Sequence, residues 1–193
     1  MNFIKNIDIA NKRILIRVDY NVPILNGEIS NDFRIKQSLE TINYCLKNNA
    51  SVILMSHLGR PKGTFVEEDS LEPVSWHLEE LIKKEVMFVG DCISNEAFDI
   101  SKNIKPQEIL LLENLRFHMG ETDNNDIFSK QISRHGDIFI NDAFGTAHRS
   151  HASNVGILDY FKQKGYGFLI DKEIQYLKNE LDNPQKPLLI IIG

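Results

Sequence analysis

The stretch ILIRVDYN, residues 14–21, places an unbroken apolar run directly before a group of polar and charged side chains. An apolar run without alternation is typical of a strand buried on both faces, as in a parallel sheet covered by helices. The polar residues then lie just beyond the carboxyl end of the strand, where ligands bind in open α/β sheets. This stretch therefore predicts a class of fold and the edge of the sheet that carries the chemistry.

The same pattern recurs along the 193 residues. The six short apolar runs are residues 14–16, 52–55, 86–89, 109–112, 138–140 and 188–192. Apolar residues at helical spacing mark four segments, which are 35–46, 76–82, 128–132 and 174–181. Strands that alternate with helices predict an α/β fold: a doubly wound, mostly parallel β-sheet with helices on both faces, a Rossmann-like three-layer sandwich.

Turn-forming residues mark the connections between these elements. Residues 62–73 and 120–125 are predicted to be exposed loops, and Asn31 or Asp32 is predicted to cap the first helix. Residues 183–187, which contain two prolines, are the best candidate for a linker. The apolar run that follows them is then expected to open a further domain.

The composition excludes some classes of function. A net charge of −5 argues against a general nucleic-acid binder but allows a local basic pocket. No stretch approaches the ~20 apolar residues of a membrane span, and the N-terminus lacks the features of a signal peptide. Cys45 and Cys92 are too few for a disulfide framework and are expected to be small buried side chains. We therefore expect a cytoplasmic protein that binds neither nucleic acid nor membrane.

Four strand ends carry polar side chains to one edge of the predicted sheet. These segments are residues 17–21, 56–61, 113–118 and 141–149. Three of them place an arginine just beyond the strand, and these are Arg60, Arg116 and Arg149. Arg34 comes from the start of the first predicted helix. Because guanidinium groups stay charged and fork onto phosphate and carboxylate oxygens, this convergence predicts a site for a small, multiply charged anion.

Most of these side chains also have a simpler interpretation. A single arginine after a strand is usually a solvated charge, His57 alone is more often a structural group, and Asp142 is equally well explained as a turn cap. Asp19 would repel an anion, so it is expected to accept from a substrate hydroxyl or to orient an arginine. His148 and His151 have a spacing that suits a metal but no accompanying ligand set, so no metal site is predicted.

Four of these segments also match a known family. RVDYNVP (17–23), SHLGRP (56–61), LLENLRFH (111–118) and NDAFGTAHRSHAS (141–153) resemble the hallmark segments of phosphoglycerate kinases. Supporting matches are FRIK (33–36), GDCI (90–93) and GFLIDKE (167–173). Because these motifs occur in the family's order along the whole chain, they are far more specific together than any one of them alone.

The resemblance implies a two-domain kinase that moves the acyl phosphate of 1,3-bisphosphoglycerate to ADP, giving 3-phosphoglycerate and ATP. Residues 1–170 would be the 3-phosphoglycerate-binding domain, 171–186 an interdomain helix and linker, and 187–193 the first strand of a nucleotide-binding domain. Mg²⁺ with ADP or ATP is then expected on that second domain and not on this chain. The chain is expected to be a monomer and, as the substrate-binding half, inactive alone.

The resemblance also assigns site residues, carried over position by position. Asp19, Asn21 and Arg34 should face the carboxylate and hydroxyl end of the glycerate, and Arg34 should be the catalytic residue that meets the phosphoryl group in transfer. The residues expected to hold the 3-phosphate are His57, Arg60, Arg116 and Arg149. Tyr20 stands where the family usually has Phe, and we expect little effect from its hydroxyl.

Two other functions compete with this interpretation. A stand-alone anion-binding module without catalysis would need the same convergent arginines. A nucleotide-dependent oxidoreductase is disfavoured because no G-x-G-x-x-G follows a strand, and no P-loop sequence is present either.

Overall fold

The computed structural model describes residues 2–25 and 27–182. The strands in this part of the chain are β1 (Arg13–Arg17), β2 (Ile24–Leu25), β3 (Glu28–Ile29), β4 (Ser51–Met55), β5 (Met87–Val89), β6 (Ile109–Leu112), β7 (Ile138–Asn141) and β8 (Lys164–Tyr166). The α-helices are α1 (Phe33–Lys47), α2 (Glu72–Ile82), α3 (Asn95–Asn103), α4 (Met119–Thr122), α5 (Asp126–Ser133) and α6 (Phe168–Asp182).

Six strands form one parallel sheet in the order β5-β6-β4-β1-β7-β8. In the middle of it, Arg17 at the end of β1 stands beside Met55 of β4 and Asn141 of β7. Helix α1, which follows β1, covers one face, and the 3₁₀ turn Gly156–Tyr160, which follows β7, covers the other. Where the connections after two neighbouring parallel strands leave to opposite faces of the sheet, a crevice opens at the carboxyl ends of those strands.

Alternate side chains of the central strands enter two separate hydrophobic cores. Ile14 and Ile16 of β1 join the core shared with α1 and α2, whereas Leu15 joins the core shared with α3 and α5. Because both faces are covered, the strands have continuous apolar sequences and no polar alternation. The predicted α/β fold with a parallel sheet and helices on both faces is confirmed.

The start of α1 uses both residues that the sequence offered as caps, but in different ways. Asn31 Oδ1 accepts the backbone N–H of Phe33 at 3.0 Å. The Asp32 carboxylate makes no such bond and instead contacts Lys36 and His77, both at 3.0 Å. Asn31 therefore satisfies the free backbone donor, while Asp32 links α1 to α2.

The apolar runs predicted most of the regular structure. Five of the six predicted strands are present, and the sixth, residues 188–192, lies outside the described residues together with the predicted linker at 183–187. The four predicted helices are present as α1, α2, α5 and α6, each longer than its apolar segment.

Other elements were not predicted. Strand β8 has the sequence KGY and the β2–β3 hairpin is two residues wide, so neither offers an apolar run. The predicted loop at 120–125 is wrong in part because α4 occupies its first residues. The predicted loop at 62–73 contains a 3₁₀ turn and ends inside α2, whose first turn accommodates Pro73.

Both cysteines are buried and unpaired, as expected from their number. Burial raises the pKa of the Cys45 thiol to about 12, so it stays protonated at neutral pH. In the described part of the chain, no helix combines the length and apolar character needed to cross a bilayer.

Replacing Gly136 by alanine is expected to lower the free energy of unfolding by about 1–3 kcal/mol, because an added Cβ would lie 2.7 Å from Leu15 Cβ and 3.0 Å from its backbone nitrogen. The matched control is Gly90→Ala, whose Cβ would meet nothing within 4 Å. Urea denaturation measures both. Equal effects at the two positions would contradict the close packing of Gly136, which lies just before β7, against Leu15 of β1.

Candidate anion-binding site

Three arginines from separate strand ends line one cavity of about 400 Å³. Arg60 follows β4, Arg116 follows β6 and Arg149 follows β7. Lys62 and His151 complete its basic lining, and the contacts on its remaining side come from α4. The cavity therefore concentrates positive charge in a protein whose net charge is −5.

Arg116 is the most deeply placed of the three arginines that line the cavity. Arg116 is only 6% exposed, and its Nη1 donates to the carbonyl of Gly59 at 2.7 Å. Nε is buried and has no hydrogen-bond partner among the residues that the structure describes. Burial, with Arg149 and Arg17 nearby, lowers the pKa of Arg116 to about 10, which leaves it charged at neutral pH. An anion in the cavity would offset the positive charge that Arg116, Arg149 and Arg17 concentrate here.

The loop after β4 is shaped by contacts to its backbone. Gly59 has φ +60°, and an added Cβ would lie 2.0 Å from Asp69 Oδ1, so only glycine fits. Its N–H donates to Asn21 Oδ1 at 3.0 Å, while Asn114 Nδ2 donates to the carbonyl of Leu58 at 2.7 Å. Asn21 thus holds the loop that also carries the acceptor for Arg116.

His57 lies behind the arginines and is held by Arg17, the last residue of β1. His57 is 2% exposed, and its Nδ1 lies 3.1 Å from Arg17 Nη2. Because arginine only donates, Nδ1 accepts and the ring proton resides on Nε2. Burial and the charges of Arg17, Arg116 and Arg149 hold the pKa of His57 far below its ordinary value. His57 is therefore a neutral side chain with a single N–H to donate.

A buried carboxylate, Glu121 of α4, offsets part of this positive charge. Ser153 Oγ donates to Glu121 Oε1 at 2.7 Å and accepts from Arg17 Nε at 2.8 Å, so it bridges the two charged groups. Burial would raise the pKa of Glu121, but contact with His151, the charge of Arg17 and the bonds from Ser153 lower it below its ordinary value. Glu121 thus stays ionised and stabilises the cluster from behind.

Arg34 and Asp19 line a second depression of about 240 Å³. Arg34 Nη1 donates to Asp19 Oδ2 at 2.8 Å, and the Arg34 side chain is still 49% exposed. Asp19 Oδ1 accepts the backbone N–H of Asn21 at 3.2 Å. The contacts run on from Asn21 through Gly59 to Arg116, so the two depressions share one continuous hydrogen-bonded edge.

Asp142 caps α6, a role close to the turn cap considered from the sequence. Its Oδ1 accepts the N–H of Leu169 at 2.9 Å and of Ile170 at 3.3 Å, and its Oδ2 accepts from Thr41 at 2.6 Å. Burial raises the pKa of Asp142 to about 6 despite these bonds. Asp142 also lines the second depression, where it fixes the start of α6.

The structure thus gathers the seven predicted site residues at one edge of the sheet. Arg60, Arg116 and Arg149 share a cavity, His57 lies behind them, and Arg34, Asp19 and Asn21 form the adjoining part.

No role in the anion site was predicted for four further residues, and these are Arg17, Lys62, Glu121 and His151. Arg17 could have been found from the sequence, because it is an arginine that directly continues an apolar run. The other three have no signal of this kind in a single sequence.

One group of side chains elsewhere has donor atoms suited to a metal. Asp91, Cys92 and His118 each offer an atom within 4.8 Å of the others. Burial raises the pKa of the Cys92 thiol well above its ordinary value, and His118 is already 3.0 Å from Asp91. These contacts are those of a structural hydrogen-bonding pair beside a buried thiol. His148 and His151 do not pair, since His148 is exposed and His151 faces Glu121.

The comparisons with known proteins point to one family. The family model described as phosphoglycerate kinase matches residues 4–193. The chain belongs to the phosphoglycerate kinase family. Similar curated relatives are the phosphoglycerate kinases of Clostridium kluyveri, 46% identical over 192 residues, and Thermosipho africanus, 48% identical over 190 residues. The alignments cover 98% of this chain but 48% and 47% of those relatives.

Solved structures agree with this family membership. The phosphoglycerate kinase of Coxiella burnetii matches with a TM-score of 0.85 and 40% identity over 96% of this chain and 46% of its own. That of Pyrococcus horikoshii matches with a TM-score of 0.87 and 33% identity over 97% of this chain and 47% of its own. The chain therefore spans about half the length of the phosphoglycerate kinases it matches.

The Arg17 contact should fix His57 as the Nε2–H tautomer. Long-range ¹H–¹⁵N NMR is expected to show an unprotonated Nδ1 and no titration of His57 between pH 8 and pH 5, because burial and three arginines keep its pKa far below that range. Arg17→Lys keeps a positive charge but loses the planar fork, so both tautomers should appear. A His57 that titrates near its ordinary pKa in the unmodified chain would show this assignment to be wrong.

Asp142 should make stability depend on pH in an unusual direction. Its folded pKa of about 6 exceeds the ordinary 3.8, so ionisation opposes folding above pH 6 and the penalty disappears below pH 4. Relative to Asp142→Asn, the unmodified chain should gain about 2–3 kcal/mol as the pH falls from 7 to 4.

Denaturation at several pH values measures this trend. Asp137→Asn is the control of opposite sign, because the hydrogen bonds and charge of Arg13 hold the pKa of Asp137 below its ordinary value despite partial burial. A flat difference between the unmodified chain and Asp142→Asn would contradict a raised pKa for Asp142.

Proposed function

We propose that this chain is the substrate-binding half of a phosphoglycerate kinase, which transfers the acyl phosphate of 1,3-bisphosphoglycerate to ADP to give 3-phosphoglycerate and ATP. The observation that carries the proposal is the cavity on which three arginines from separate strand ends converge. Family membership supports this chemistry, and the length of the relatives supports a second half that completes the enzyme. In the absence of that half, the same cavity would serve a stand-alone anion-binding module.

The basic cavity is the proposed site of the substrate's 3-phosphate. Arg60, Arg116 and Arg149 supply charged N–H donors, and His57 adds one neutral donor from Nε2. Each hydrogen bond from a charged donor is worth about 1.5–3 kcal/mol when shielded from water. Three such groups can therefore bind a dianion firmly without making a covalent bond.

The adjoining depression is the proposed site of the glycerate end. Arg34 is half exposed there and is held at 2.8 Å by Asp19. Asp19 can accept from the substrate hydroxyl on the oxygen not facing Arg34, and Asn21 fixes the loop between the two depressions. In this arrangement, Arg34 is the charge that meets the phosphoryl group during transfer, since phosphoryl transfer needs positioning and charge stabilisation more than covalent help.

The residues of this site do not fit Mg²⁺. They offer mainly cationic and neutral N–H donors, and the carboxylate Asp19 is already paired with Arg34. Magnesium prefers oxygen ligands, so the Mg²⁺ complex of ADP or ATP belongs, in this proposal, to the second half of the enzyme. Residues 1–170 are then the substrate domain, with 171–186 and 187–193 leading to the nucleotide domain. A monomeric, cytoplasmic enzyme stays a prediction.

Titration calorimetry of this chain tests the proposal. 3-Phosphoglycerate should release or absorb heat and saturate, whereas ADP should not. Arg116→Lys should weaken the binding of 3-phosphoglycerate by roughly 10–100-fold, because the loss of the planar fork removes hydrogen bonds to the phosphate. Arg34→Ala should weaken it less, since this charge acts mainly on the transferred group.

The matched control is Arg13→Lys. It makes the same chemical change at an arginine that is paired with Asp137 at the opposite end of β1, away from the cavity. It should leave the affinity for 3-phosphoglycerate unchanged. Binding of 3-phosphoglycerate that is indifferent to Arg116→Lys, or no binding at all, would refute the site.

A further inference from the structure

A large aromatic side chain lies exposed on α2, away from the anion cavity. Trp76, the single tryptophan of the sequence, is 60% exposed, although Val74 and Leu78 on the opposite side of the same helix are fully buried. Phe65, which lines the same surface depression as Trp76, is also 65% exposed. Exposed apolar groups that cluster in this way mark interaction surfaces more often than isolated ones do.

Trp76 lies where two surface depressions meet. The first, of about 760 Å³, is lined on its apolar side by Ile24, Phe65 and Pro73, and the second, of about 510 Å³, continues along the end of α2. Both include Trp76, so together they form one groove with the indole at its centre. We call it the Trp76 groove, and it shares no lining residue with the anion cavity.

Acidic side chains surround the indole on both sides. The glutamates that line the Trp76 groove are Glu67, Glu68, Glu72, Glu79, Glu80 and Glu85, and all of them are exposed. Lys83 and Lys84 are the basic residues among its described lining. Within the described residues, no ion pair joins any of these glutamates to a lysine or arginine. The glutamates outnumber the two lysines, so the groove carries a net negative charge around its apolar side chains.

We propose that the Trp76 groove docks a basic segment of another protein, with lysine or arginine side chains flanking an apolar side chain. The apolar side chain would pack on Phe65 and Pro73, and the cations would meet the glutamates. A guanidinium or ammonium group placed over the indole face of Trp76 gains a cation–π attraction. Tryptophan is also among the residues that most often dominate the binding energy of an interface.

The charge pattern distinguishes this partner from other occupants. A second copy docked through the same face would bring two sets of glutamates together, and like charges across an interface disfavour association. Nucleic acid and anionic membranes are repelled for the same reason. This inference does not rest on the proposed kinase function, so the titration with 3-phosphoglycerate can fail or succeed without affecting it.

The fluorescence of Trp76 reports directly on the groove because no other tryptophan is present. The probe is a synthetic ten-residue peptide of alternating arginine and leucine, and the control peptide alternates glutamate and leucine. The first should change the emission of Trp76 saturably, and the change should weaken as salt is added. The second should not bind.

Two pairs of substitutions test whether the peptide binds through the glutamates of the groove or through the negative charge of the chain in general. Glu67→Gln with Glu72→Gln should weaken binding of the arginine peptide by roughly 2- to 30-fold, as expected for two exposed ion pairs. Glu96→Gln with Asp99→Asn, which removes two exposed charges from α3, should leave its affinity unchanged. Equal effects of the two pairs, equal binding of both peptides, or no binding would overturn the proposal.

Collisional quenching tests the same potential without any peptide. Relative to free tryptophan amide, caesium should quench Trp76 more strongly than iodide, because the glutamates concentrate cations and exclude anions. Preferential quenching by iodide would overturn the assignment. A shift in Trp76 emission with protein concentration, matched by dimers in sedimentation, would also overturn it in favour of a second copy.

Discussion

The arrangement at the carboxyl edge of the sheet depends on burying guanidinium groups beside one another without neutralising them. Moving a charge out of water costs several kcal/mol unless other groups compensate, and neighbouring like charges add to that cost. Here the compensation is indirect. Glu121 reaches Arg17 through Ser153 and does not hydrogen-bond directly to the guanidinium groups that face the cavity. The protein thereby stabilises the cluster as a whole and leaves the N–H groups on the open side available.

The parallel sheet supplies the precision that such a cluster requires. Each contributing segment begins at the end of a buried strand, and the strands are fixed in register on either side of β1. The segments are then tied to each other through backbone groups, as when Gly59 accepts from Arg116 and donates to Asn21. The side chains are flexible, but their starting points are rigid, and this reduces the entropy lost when a ligand binds.

The sequence allowed the fold and much of the site to be predicted because both follow from local signals. Runs such as residues 52–55 and 109–112 are recognisable as buried strands without any knowledge of their neighbours, and Arg60 and Arg116 follow at their ends. The short strand β8 and helix α4 depend on tertiary packing, so they were missed or assigned to a loop. Glu121 illustrates the limit most clearly, because a carboxylate becomes a buried counter-charge only through Ser153, which is 32 residues away in the chain.

The way in which α6 is anchored has a mechanical consequence. Its first turn is anchored by Asp142, whose own backbone N–H donates to the carbonyl of Arg17 at 2.8 Å, so the base of the helix is joined to the central strand of the sheet. A helix of 15 residues is about 22 Å long. Pivoting by ~10° about that anchor would carry its far end through ~4 Å at this length. Two further contacts hold the base of α6, since Thr41 Oγ1 accepts the N–H of Phe168 at 2.9 Å and Lys5 donates to Asp171 at 2.7 Å. A small tilt at these ties would be geometrically amplified along the helix.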